Sequence, residues 1–141
     1  MPANYALQLR EALVTHWQND PAVTDLIPAL QIYGVRPPAN PPRPFSRVQS
    51  LETESYEATG YDGSEFPLVR VHVFAEGPDE VNCSTICNAM QSSIAAASVA
   101  GDLELIRNEW LRTNIIVDGE EADLWHGIID FDMAVISRIQ P

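Results

Sequence analysis

Residues 67–80 read PLVRVHVFAEGPDE, an alternating segment that leads directly into a helix start. The alternation predicts a strand over Pro67–Glu76, with successive side chains on opposite faces. Gly77 and Pro78 end the strand, and Asp79 is placed to cap a helix predicted over Glu80–Ser98. One face of the strand is apolar and consists of Val69, Val71, Val73 and Ala75. The other face consists of Leu68, Arg70, His72 and Phe74.

Two predicted helices each carry a single apolar stripe. The first helix is predicted over Asn4–Asn19, and the second is the Glu80–Ser98 helix. A stripe on one side of each helix indicates that both pack against a common surface. The first stripe consists of Tyr5, Leu9, Ala12, Leu13 and Trp17, and the second of Cys83, Ile86, Cys87, Met90, Ile94 and Ala97.

Four further segments have strand character. A proline-rich connector, residues 36–44, separates the first two, because its five prolines exclude helix and central strand. We predict one domain, residues 1–141, of the α+β class: an antiparallel or mixed four- to five-stranded sheet with two helices packed on one face. The four segments are Gln31–Val35, Phe45–Thr59, Leu111–Val117 and Leu124–Ile136.

The charge balance excludes several classes of partner. All eight basic residues are arginines, against 20 Asp and Glu, and the formal net charge is -12. Nucleic-acid binding depends on cationic contacts with phosphates, so specific DNA binding is not expected, and anionic membranes are disfavoured for the same reason. No apolar run approaches the roughly 20 residues of a membrane span, and the N-terminus lacks the features of a secretory signal.

Cys83 and Cys87 stand one helical turn apart within the apolar stripe of the second helix. A closed zinc site needs about four ligands, and the chain has no other cysteine. One helical turn does not readily close a disulfide within itself. We therefore predict that both cysteines pack in the core.

A histidine and aspartate group is the best candidate for metal or acid–base chemistry. If the two strands that carry it are neighbours, two imidazoles and a carboxylate could converge. The competing interpretation is an ordinary solvated acidic face. The sequence contains no nucleophile elbow, Walker loop or His-Glu-x-x-His motif, so we predict no catalytic residues, metal or cofactor. The alternative is a small metal-dependent enzyme or ligand-binding domain that uses His72, His126, Asp130 and Asp132.

A hairpin predicted over residues 45–76, with its turn at Gly60–Gly63, combines acidic and aromatic residues. The charges alone are typical of a solvated strand. Aromatic side chains in an exposed hairpin are more typical of a protein interface. The residues concerned are Glu52, Glu54, Tyr56, Glu57, Tyr61, Asp62 and Phe66.

The order of elements, together with several local strings, resembles a known family. The strings are the helix Tyr5–Trp17, DPAV at residues 20–23, LQIY at 30–33, the strand Leu68–Glu76 and LWHGIIDFDM at 124–133. The chain resembles the tail completion, or tail-to-head joining, proteins of long-tailed bacteriophages. That group is similar to the tail terminators of lambdoid phages and gene transfer agents. The resemblance covers nearly the whole chain and rests on element order and hydrophobic positions.

This resemblance implies a structural α+β subunit that forms a ring, usually a hexamer, at the head-proximal end of the tail tube. Its partners would be copies of itself, the tail tube protein and the head-completion or stopper protein of the connector. It would be assembled in the host cytoplasm and end in the tail or neck of the virion. The family has no catalytic residues to carry over.

In such a ring, DNA passes through the lumen without specific binding, and acidic walls suit that passage because they offer phosphates no cationic contact. We expect the segment Glu52–Phe66 to face the lumen or the tube. We expect subunit contacts near Arg36, Arg43 and Arg47, because arginines are suited to pairing with a neighbour's carboxylates.

Overall fold

The computed structural model describes residues 5–49, 64–65, 68–119 and 123–137. The helices of this part are α1, Tyr5–Gln18; α2, Pro21–Thr24; and α3, Val81–Ala95, with a 3-10 turn at Ala29–Gln31. The strands are β1, Ile32–Tyr33; β2, Phe45–Val48; β3, Ser64–Glu65; β4, Leu68–Glu76; β5, Val99–Ala100; β6, Leu103–Val117; and β7, Leu124–Ser137.

The strands form one mixed sheet in the order β1-β2-β4-β7-β6-β5, and β3 pairs with β7 outside that path. Only the β1–β2 pair is parallel among the described strands. The α+β class and the mixed sheet are confirmed. The predicted strand count of four to five is too low: β1 lies within the predicted segment Gln31–Val35, but β3 and β5 have two residues each and are too short to show a periodicity.

The β6–β7 hairpin forms the centre and one side of the sheet. Its strand β6 begins at Leu103, eight residues before the predicted start at Leu111. Two register shifts, between Leu105 and Arg107 and between Trp110 and Arg112, explain the difference. A β-bulge places an extra residue in one strand, so the apolar alternation breaks twice in the first half of β6.

The hydrophobic core lies between the sheet and the helices, on one face of the sheet. The predicted stripes are confirmed where they are described: Leu9, Leu13 and Trp17 from α1 belong to one buried cluster with apolar residues of α3, β4 and β7. The indole Nε1 of Trp17 donates a hydrogen bond of 3.0 Å to the carbonyl oxygen of Met90 in α3. The short helix α2 starts after Asp20, whose side chain accepts from the backbone N–H of Ala22.

Cys83 and Cys87 are free, buried thiols of this core, as predicted. They pack against Gly127 of β7, where an added Cβ would lie 2.4 Å from the sulfur of Cys87 and 3.1 Å from that of Cys83. Glycine lets α3 approach the sheet at this point. None of the helices in the described residues is long and apolar enough to cross a membrane.

Candidate functional site

The predicted polar residues lie on the face of the sheet that is opposite the helices. We call it the outer face. Alternation in β4 places Arg70, His72 and Phe74 on it, and the register of β4 with β7 places His126 and Asp130 beside them. Antiparallel pairing of β4 with β7 thus brings the predicted residues to one surface. They form two separate groups there.

The first group is an imidazole pair. His72 Nδ1 lies 2.8 Å from His126 Nε2, and His72 Nε2 lies 2.8 Å from Gln49 Oε1. Because the amide oxygen of Gln49 accepts, His72 carries its proton on Nε2, and its Nδ1 accepts from His126. These hydrogen bonds hold both rings in place, and the accepting Nδ1 makes His72 a neutral imidazole.

Burial and nearby cations favour the neutral form of both imidazoles. Burial, followed by the positive charges of Arg47 and other neighbours, lowers the pKa of His72 to about 4. Burial also lowers the pKa of His126. Burial disfavours the charged imidazolium, and a nearby cation adds repulsion. The pair is uncharged at neutral pH.

The second group is a set of ion pairs around Asp130. The carboxylate of Asp130, only 4% exposed, accepts two hydrogen bonds from Arg70, at 2.6 and 3.0 Å, and lies 3.2 Å from the Nε of Arg112. Hydrogen bonding and charge from Asp130 raise the pKa of Arg70. Asp132 pairs separately with Arg107 at 3.1 Å. Both aspartates thus form ion pairs with arginines.

This geometry does not favour the metal-site alternative. Two nitrogens that share a hydrogen bond point at each other, whereas two metal ligands must point at a third position. The described residues contain no group of three or more His, Cys, Asp or Glu that could hold a metal ion. His72, His126, Asp130 and Asp132 share one face without sharing one centre.

An aromatic stack continues the outer face beside the imidazole pair. The ring centroids of Phe45 and Phe74 are 4.6 Å apart, and those of Phe74 and His126 are 4.3 Å apart. The guanidinium of Arg43 lies over both phenylalanines, at 5.8 and 5.6 Å, and pairs with Asp118 at 2.6 Å. Arg43 therefore ties the proline-rich connector to the end of the β6–β7 hairpin.

The other two arginines predicted at a subunit contact have different surroundings. Arg36 is exposed in the connector, and Arg47 is half-buried on β2, opposite His72. Neither has a carboxylate of the described residues within ion-pair distance. The acidic and aromatic residues Glu52, Glu54, Tyr56, Glu57, Tyr61, Asp62 and Phe66 lie outside the described residues, so their role stays a prediction.

One polar network was not anticipated from the sequence. His16 Nε2 lies 3.0 Å from the hydroxyl of Ser93, and that hydroxyl donates to Asp20. The hydroxyl proton goes to the carboxylate and the imidazole does not accept it, which is the reverse of a nucleophile–base arrangement. Because His16 and Ser93 are 77 positions apart, no local motif signals this contact.

The same network lies beside a concave feature of the surface. A cleft of about 720 Å³ runs between α1 and the β5–β6 turn, with His16 and Asp20 in its wall. The hydrogen bonds of Asp20 to Ser93 and to the backbone of Ala22 lower the pKa of its carboxyl. The network ties α1, the α2 cap and α3 together at one wall of the cleft.

The protein is thus a small α+β protein. The polar side chains of its outer face are held by one another in ion pairs, an aromatic stack and an imidazole pair. The family model of tail completion protein gp17 matches residues 11–136, and the chain belongs to that family. It is thus a structural protein of the virion tail.

The fold also occurs among solved structures. A chain in a structure described as "Virion of native gene transfer agent (GTA) particle" matches with a TM-score of 0.74 and 14% sequence identity. The match covers 94% of this chain and 98% of that chain. A search of curated proteins found no match.

Proposed function

We propose that this protein forms a ring at the head-proximal end of the tail tube, ends tube growth and joins the tail to the head connector. Membership of the tail completion family over residues 11–136 is the observation that carries the proposal. A chain of the same fold in a gene transfer agent virion supports it, because the matched chain is nearly fully covered. The ring would consist of copies of this chain, six in the usual arrangement of the family.

The mechanism would be steric. A closed ring of identical subunits needs a heterologous interface, in which one surface of the subunit fits a different surface of the next copy. One face of the ring would resemble the next layer of the tube, and the other would accept the stopper protein of the connector. No bond-making step is involved.

DNA would pass through this ring without being held. The chain carries a net charge of -12, which gives phosphates no attraction at long range. At physiological salt the repulsion extends over a Debye length of about 8 Å, enough to matter at a lumen wall. We place the acidic residues Glu52, Glu54, Glu57 and Asp62 at the lumen or the tube contact.

Imaging of purified protein mixed with tail tubes tests the ring. We expect annular particles at tube ends by negative staining, and a closed oligomer by native mass spectrometry. Tubes that keep a free end in the presence of excess protein would contradict the proposal.

Replacing Tyr56 and Tyr61 by alanine tests the predicted hairpin contact. Aromatic residues are common anchors of protein interfaces, so we expect the double variant to bind tubes at least about tenfold more weakly. Tyr33→Ala is the control for loss of an aromatic ring, because Tyr33 lies in β1 and outside the predicted hairpin. Circular dichroism would establish that each variant folds. Normal capping by the folded Tyr56→Ala/Tyr61→Ala variant would exclude this role for the segment.

A further inference from the structure

The outer edge of β6 is open along most of its length. Strand β7 covers one edge of β6 from Leu103 to Val117. On the other edge, β5 pairs only with Leu103 and Glu104, and the N–H of Leu105 donates to the carbonyl of Ser98. No described strand pairs with that edge from residue 106 to residue 117, which we call the open edge. A long open edge is a template for pairing with another chain.

Apolar side chains are exposed along this same edge. Register with β7 places Trp110 on the helix side, opposite Phe131, and Ile116 on the outer face, opposite His126. Apolar groups therefore flank the edge on both faces of the sheet, and a large exposed patch of this kind marks an interaction site. Their exposed fractions are Ile106 41%, Trp110 51%, Leu111 43%, Ile116 50% and Val117 54%.

Because apolar side chains are exposed on both faces of the sheet, a partner that adds a strand to the edge fits better than one that docks on a single face. A rounded surface that docks on one face of the sheet would cover Ile116 and leave Trp110 in water, or the reverse. An added strand continues the sheet, so its alternating side chains cover both faces while its backbone pairs with the edge. The open edge is thus suited to an extended segment.

The charges beside the edge favour a partner that carries carboxylates. Arg112 is exposed on β6 and shares the buried carboxylate of Asp130 with Arg70, so these three side chains together carry one net positive charge. Glu109 adds one carboxylate to the same face of β6. Arg47 on the same outer face has no carboxylate among the described residues. These cations stand out in a chain with 20 Asp and Glu.

Two acidic partners fit those charges, DNA and a second copy of the chain. DNA offers phosphates but no backbone N–H or C=O to pair with a strand, and its backbone would leave Leu111 and Val117 without an apolar partner. A second copy offers carboxylates, apolar side chains and a peptide backbone together. Every copy also carries the same open edge, as a head-to-tail ring requires.

We propose that the open edge of β6 receives an extended segment of a second copy of this chain, whose carboxylates lie beside Arg112. The inference rests on the proposed ring and goes beyond it by assigning one of the two subunit surfaces. It predicts that Leu111→Lys/Ile116→Lys weakens association of copies by about tenfold or more, because lysine on an edge opposes strand addition. Leu30→Lys is the matched control, since Leu30 is 88% exposed and lies far from β6 in the sequence.

The measurement is native mass spectrometry of each variant, alone and on tail tubes, after circular dichroism has shown that it is folded. Loss of oligomers in Leu111→Lys/Ile116→Lys, with oligomers kept in Leu30→Lys, supports the inference. Equal assembly of both variants overturns it and leaves the proposed ring intact. Failure of the unaltered protein to self-associate in either setting overturns the ring and the inference together.

Hydrogen exchange of the unaltered protein gives a second test that needs no variant. On assembly, the backbone amides of residues 108–117 that point toward the open edge should exchange with solvent at least about tenfold more slowly. The exchange rates of the amides in α3 should stay unchanged. Unchanged exchange along the open edge in the oligomer overturns the inference. Anisotropy with a duplex DNA probe completes the set: salt-dependent binding of the unaltered monomer to DNA that is lost in Arg112→Gln would assign the edge to nucleic acid instead.

Discussion

Gly127 shows how one residue sets the distance between a helix and the sheet. It occupies an inward position of β7, where neighbouring inward residues such as Ile129 and Phe131 fill the core. Two sulfur atoms of α3 occupy the space that a side chain would need. The close approach of α3 to the sheet therefore depends on the absence of a Cβ at this position.

Gly127→Ala should destabilise the protein by about 1–3 kcal/mol, because the new methyl group overpacks a filled core. Urea denaturation at neutral pH measures the change in free energy of unfolding. Cys87→Ala removes the closer sulfur, so Gly127→Ala/Cys87→Ala should lose less than the sum of the single changes. Additive losses would show that the sulfur contact is not the cause.

His72 gives the protein a defined response to acid. Its pKa is about 4 in the folded chain, below the 6.5 of a free imidazole, so the unfolded chain binds more protons between these values. Stability should therefore fall as the pH is lowered from about 6.5 toward 4, and rise again with pH in that window. Arg47, Arg70 and His126 all oppose protonation of His72, and only Asp130 among the contributing groups favours it.

The loss expected from His72 between pH 7 and pH 5 is on the order of 2 kcal/mol, since one pKa unit corresponds to about 1.4 kcal/mol. Urea denaturation at pH 7 and pH 5 measures it. His72→Gln, which cannot titrate, should show a smaller difference between the two pH values than the unaltered protein. A pH dependence that is identical in both would assign the acid response to other groups.

At the scale of elements, long regular segments were predictable and short or irregular ones were not. The strand β4 and the stripe of α3 follow single periods, so their faces were predicted correctly from the sequence. The early half of β6 contains two register shifts, and its residues look irregular in the sequence for that reason. Strands β3 and β5, which no segment of the sequence predicts, exist because a neighbouring strand is available to pair with, which is a property of the fold rather than of their own residues.

The candidate site divides in the same way. Alternation placed His72 and Asp130 on one polar face, and the structure confirms that face. Their hydrogen-bond partners depend on register across three strands and could not be predicted locally. Arg112 reaches Asp130 only because of the shift after Trp110, and Gln49 reaches His72 from the end of β2. Alternation within one strand thus predicts the face of the sheet on which a side chain lies. The residues that it contacts depend on how neighbouring strands are paired.

The whole molecule has an uneven distribution of charge. Arginines gather on or beside the outer face, while the chain as a whole has a net charge of -12. Most of these arginines are held by carboxylates, so the face is nearly balanced rather than strongly basic. Copies of the chain repel one another least at such a face. The arginines on or over it are Arg43, Arg47, Arg70, Arg107 and Arg112.

This balance leads to a prediction about DNA. The unaltered protein should not bind a duplex of about 30 base pairs at physiological salt, because little counterion release is available. Glu104→Arg/Glu109→Arg should create binding, since the change places two cations beside Arg107 and Arg112 and raises the net charge from -12 to -8. Fluorescence anisotropy across a salt series measures both proteins, and each additional phosphate that the variant neutralises should steepen the logarithmic salt dependence by about 0.9.

A matched control variant carries the same net charge, but its two new arginines lie on two different elements instead of together on β6. Glu11→Arg/Glu76→Arg places one on α1 and one at the end of β4, so it should bind DNA more weakly than Glu104→Arg/Glu109→Arg. Equal binding by the two variants would mean that net charge alone governs the affinity for DNA. Salt-dependent binding by the unaltered protein would contradict the passage of DNA without retention, because every phosphate held by an arginine must be released before the genome can move.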